Sequence, residues 1–125
     1  MKSIITKTAK IKMALARKGE AGLPPIAGIA IGDGAADGDG GLLEAMETDT
    51  RLKNELIRRT YCKCEKISDS SYRYRIELGE DELVGKTINE AALYDSDGDL
   101  LAIRVFSGLK KDEGMEMAFE YDDKF

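Results

Sequence analysis

The stretch from Ile88 to Ile103, INEAALYDSDGDLLAI, constrains the fold of this chain more than any other. Two apolar-rich runs flank an Asp/Gly-rich turn, and Asp97-Gly98 supplies a residue that accepts positive φ without steric cost. This pattern predicts a β-hairpin, its second arm reaching about Phe106. Such a hairpin needs neighbours to bury it, since two strands alone are marginal in water.

The neighbours are legible in part. Alternation in Ile26–Ile31, Tyr61–Ile67, Tyr72–Leu78 and Met115–Tyr121 predicts further strands. Ser68 to Ser71 and Gly108 to Gly114 read as turns. A helix is expected over residues 3–18, with Ser3 as N-cap, Gly19 as stop, and Ile4, Thr8, Ile11 and Leu15 on the packed face. A short helical turn is expected over Leu42–Met46. A second helix is expected from Arg51 to Arg59, capped by Thr50. Pro24-Pro25 excludes helix before the first long strand. The Gly/Asp-rich segment from Gly32 to Gly41 reads as a flexible loop. The fold class is therefore α+β: an antiparallel sheet of hairpin-connected strands with an N-terminal helix and a second short helix packed on it. The 125 residues fit one domain, 1–125.

Composition narrows function. No histidine is present, which removes the commonest general base and transition-metal ligand and any Ser-His-Asp arrangement. Cys62 and Cys64 are spaced two apart, unlike a Cys-x-x-Cys redox pair, and are expected to be reduced packing residues. Asp95-Ser96-Asp97-Gly98-Asp99 opens like an EF-hand loop, but the glycine comes too early and Phe106 stands where the bidentate Glu belongs. No metal, cofactor or enzymatic activity is expected. The net charge of −5 disfavours nucleic acid. No apolar run suits a membrane span. The acid-free, lysine-rich N-terminal segment is expected to lie on or near an acidic sheet of its own chain or a neighbour's, the acids being concentrated in the C-terminal third from Glu80 to Asp123.

Three blocks carry a family resemblance. Ala27-Gly28-Ile29-Ala30-Ile31-Gly32-Asp33-Gly34, Leu52-Lys53-Asn54-Glu55-Leu56-Ile57-Arg58 and Asn89-Glu90-Ala91-Ala92-Leu93-Tyr94-Asp95 come in the order and spacing that resemble the N-terminal domain of phage tail-collar fibre proteins. A Thr6–Ile11 helix start is also similar. Asn89 replaces the family's usual Arg, and Ala92 its usual Gly. The resemblance implies a non-enzymatic tail protein of a phage or prophage, attaching fibre to baseplate or collar. Its expected partners are other phage tail, baseplate or fibre proteins, with self-association left open. Its expected location is the virion tail, or the bacterial cytoplasm during assembly. The sequence shows no fibre shaft after Phe106, so an attachment module alone is expected. Candidate assembly or motif positions are Gly32, Asp33, Gly34, Asn54, Glu55, Arg58, Glu90, Leu93, Tyr94, Asp95 and Gly98. The segment 32–41 and the 88–103 hairpin are the expected contacts, and Glu90 is expected to pair with Arg58. The alternative is a small bacterial adaptor or binding module unrelated to phage.

Overall fold

A computed structural model describes residues 2–125. Strands β1 (Lys2–Ile5), β2 (Ile26–Gly32), β3 (Glu55–Thr60), β4 (Lys63–Ser68), β5 (Ser71–Leu78), β6 (Thr87–Asp95), β7 (Leu100–Lys110) and β8 (Met117–Lys124) accompany one helix, α1 (Lys7–Lys18). They form two antiparallel sheets, ordered β1-β7-β6-β2-β3 and β4-β5-β8. The molecule is mostly β. The hairpin is present as β6 and β7, turning at Gly98 with φ 86°. Its Asp95 carbonyl accepts the Gly98 N–H at 2.9 Å, closing the turn.

The sheets face each other across a core of Ile29, Ile31, Ile76, Leu93, Phe106 and Phe119. A second cluster around Ala30, Leu52, Ala92 and Ile103 covers the opposite face of the larger sheet. Central strand β6 is therefore buried on both faces, from Ile88 through Asp95. That explains its small residues: Ala91 and Ala92 let neighbouring layers approach closely. It also corrects the expectation that this hairpin offers a contact surface, since only its turn, Ser96–Asp99, is exposed.

The second helix does not form. Residues 55–60 are strand β3, paired with β2 at the sheet edge. The Lys53 and Asn54 N–H groups, which would open such a helix, point instead into the Glu90 carboxylate. Leu42–Met46 is not helical either; Leu42 forms a bridge with Ala36. At the N-terminus, residues 2–5 form an edge strand on β7, so Thr6 and not Ser3 caps the helix. Thr6 is fully buried; its Oγ1 accepts the Ala9 N–H and donates to the Leu100 carbonyl at 2.8 Å. Gly19, φ 86°, ends the helix as expected. The packed face carries Ala9 with Lys12, Met13 and Ala16, while Ile11 and Leu15 are exposed.

Both cysteines are exposed, contrary to the packing expectation. β4 is the outer strand of the smaller sheet, and all six of its residues are exposed.

Candidate functional site

β6, β2 and β3 lie side by side, so the three motif blocks, far apart in sequence, form one patch of the larger sheet. Its centre is Glu90, 1% exposed. One carboxylate oxygen accepts the N–H groups of Gly34 and Asn54, and the other that of Lys53, all at 2.9 Å. A buried carboxylate is tolerated because these donors replace its hydration. Neighbouring Asn89, 4% exposed, accepts the Ala35 N–H at 3.0 Å. Two consecutive β6 residues thus tie down the segments after β2 and before β3.

The glycines permit this. A Cβ on Gly32 would collide with the Asn54 carbonyl and approach Glu90 Oε2 at 2.7 Å; one on Gly34 would lie 2.5 Å from the Asn54 nitrogen. Asp33 accepts the Asn54 side-chain amide at 2.6 Å. The structure therefore brings Gly32, Asp33, Gly34, Asn54 and Glu90 together. Glu90 does not pair with Arg58: the carboxylate's hydrogen bonds go to backbone donors, which no letter of the sequence displays.

Arg58 belongs to a second group. It donates to Glu55 at 3.0 Å and to the Gly98 carbonyl at 2.7 Å, and its guanidinium stacks 4.7 Å above the Tyr94 ring. It fastens edge strand β3 to the hairpin turn. Leu93 lies in the core between the sheets.

Asp95 anchors a third group. Its fully buried carboxylate accepts the N–H groups of Asp97 and Asp99 and contacts the Lys12 ammonium at 2.6 Å. Lys12 also meets Asp97 at 3.1 Å and Asp99 at 2.8 Å. Burial opposes the lysine's charge, but these bonds outweigh it and hold its pKa above the ordinary value. The three aspartates are close enough to grip a cation, and the Lys12 ammonium occupies that position. Here the basic helix does meet acidic residues of its own chain.

The segment 32–41 is ordered more than its composition suggested. Asp37 Oδ1 accepts the Asp39 N–H at 2.7 Å and the Gly41 N–H at 2.9 Å. Gly32 and Ala35 are buried, so only residues 36–41 project. Exposed Leu42, Leu43 and Met46 continue that surface.

Two features gave no sequence signal. Lys111 is fully buried, donating to the Gly79 carbonyl at 2.8 Å and approaching that of Glu80 at 3.3 Å. Beside it, Glu82 pairs with Arg59 and accepts the Gly79 N–H at 2.8 Å; these bonds lower its pKa to about 2. A cleft of about 330 Å³ lies among α1, the connector before β2 and the C-terminal residues, lined by Met13, Leu23, Pro24, Tyr74, Asp123 and Phe125. Burial pushes Tyr74 up to about 12 and raises Asp123 above the usual carboxylate value. A lone lysine on the packed helix face, three positions after Ala9, was the available signal for the Lys12 contact.

The arrangement organises backbone. Glu90 and Asp95 have their oxygens committed to amides or to Lys12, leaving neither placed as an acid or base toward a ligand. No helix among the described residues is long and apolar enough to cross a membrane. No protein-family model, curated protein or solved structure matches the chain.

Proposed function

We propose that this chain is a non-enzymatic structural protein of a phage or prophage tail, attaching fibre to baseplate or collar by protein–protein contacts. One observation carries the reading. The three blocks that resemble tail-collar fibre N-terminal domains are neighbours in space, and their acid, glycines and amide serve one arrangement around Glu90.

The contact surface is the projecting turn at 36–41 with the exposed Leu42, Leu43 and Met46. It is apolar beside acid, on a base held rigid by Glu90 and Asn89. Rigid presentation lowers the entropic cost of docking.

The test is capture of tagged protein from a lysogen whose prophage has been induced, read by mass spectrometry. Baseplate or fibre proteins should be recovered with the native chain and lost with Met46→Asp, whose side chain is 63% exposed and whose fold should survive. Host cytosolic proteins alone, from a lysate containing assembled particles, would overturn the tail reading in favour of a cellular adaptor.

A further inference from the structure

Strand β4 has a free edge. β5 pairs with one side of it, and nothing among the described residues pairs with the other. Of the other outer strands, β1 has four residues, β8 has its Glu120 carbonyl taken by Arg104, and β3 is open at its edge as β4 is. An exposed strand edge is a template for another strand.

We propose that β4 pairs antiparallel with β4 of a second copy of this chain, about a two-fold axis at Cys64, joining two three-stranded sheets into one of six strands. Charge and symmetry select this register. A two-fold axis normal to the sheet keeps each residue on its own face, so the axis must pass through a residue position. Centred on Lys63, Glu65 or Lys66, it sets a charged side chain opposite its own copy; centred on Ile67 it sets Glu65 opposite Asp69; and centred on Ser68 it runs into the turn at 69–70. Centred on Cys64, it sets Lys63 opposite Glu65 of the second copy, and Glu65 opposite Lys63. Within β4 this register pairs residues 63–65 of each copy; Tyr61 precedes the strand, its N–H held by the Ala27 carbonyl at 3.3 Å. Lys63 and Glu65 already share a face, 3.8 Å apart. Cys64 faces its own copy at the axis, where directly opposed residues lie about 4.5–5.5 Å apart between Cα atoms, within disulfide range. This inference is independent of the tail reading.

Sedimentation velocity across a concentration series tests it, with Lys63→Glu, Glu65→Lys and the double exchange. The native chain should dimerise. Each single variant turns two attractive pairs into two repulsive ones and should weaken the dimer roughly ten- to thirtyfold, while the double exchange restores it. Circular dichroism should be unchanged; melting is compared at concentrations where every form is monomeric, because dimerisation itself raises the midpoint, and the variants carrying Glu65→Lys should melt slightly lower there, since residue 65 lies opposite Arg73. Cross-linking gives a second readout. With diamide, two Cys64 thiols lose two protons and two electrons to the reagent, which becomes the hydrazine, and one S–S bond joins the chains. Cys62→Ser should cross-link as the native chain does, and Cys64→Ser should not. A monomer at high micromolar concentration would overturn the proposal. So would a dimer indifferent to the charge variants, or one cross-linked equally well without Cys64.

Discussion

Glutamine in place of Glu90 is the sharpest perturbation of this fold. The exchange keeps size and shape and removes one acceptor and the negative charge. The Oε2 position serves two N–H groups and Oε1 serves one. The least costly rotamer therefore keeps oxygen toward Gly34 and Asn54 and turns the new NH2 toward the Lys53 N–H. That amide is left facing a donor, a loss of about 1–3 kcal/mol for a buried group. The two surviving bonds fall from charge-assisted to neutral strength. Together the expected loss is about 2–3 kcal/mol, or roughly 8–11 °C in Tm for a chain of this length. Urea unfolding measures the first and calorimetry the second. Amide hydrogen exchange adds a local signature: protection should fall most at Lys53, then at Gly34 and Asn54, and little in β8. Stability within about 0.5 kcal/mol of the native chain would refute the argument, as would uniform loss of protection.

Further outcomes follow from the same geometry. Gly34→Ala should cost about 2 kcal/mol or more in urea unfolding, because its Cβ meets backbone that is held by Glu90 and cannot retreat. Lys12→Met should cost about 1–2 kcal/mol by urea unfolding and leave three aspartates without their cation. Millimolar calcium should then raise the Tm of the variant and leave that of the native chain unmoved. Glu82 has a folded pKa of about 2, below its ordinary value of 4.5, so its contribution is complete above about pH 4.5 and disappears as pH falls toward 2. The stability gap between the native chain and Glu82→Gln, followed by urea midpoint against pH, should close over that interval and stay constant above it.

The hairpin at 88–103 was legible because turn chemistry and apolar runs are local. The same holds for the Gly19 helix stop and for the alternation of β2 and β5. Misreadings arose where tertiary partners decide. Leu56-Ile57 is an adjacent apolar pair without alternation, so β3 resembled a helix face until β2 was beside it. Ile11 and Leu15 looked like the packed helix stripe, yet the smaller Ala9 and Ala16 allow the close approach that the fold uses. Cys64 sits on an outer strand whose residues are all exposed, and Cys62 lies just before it, which spacing cannot reveal. Glu90 stood out as a motif position, but its partners are backbone amides, and these are invisible in any string of side chains. Lys111 is held by carbonyls for the same reason.

The most direct measurement of the tail reading is immunogold electron microscopy of purified particles from an induced lysogen, using antibody against this chain. Gold confined to the baseplate or collar end of intact tails is the expected result. Unlabelled particles, from a lysate in which the antibody still finds the chain free in solution, would contradict it.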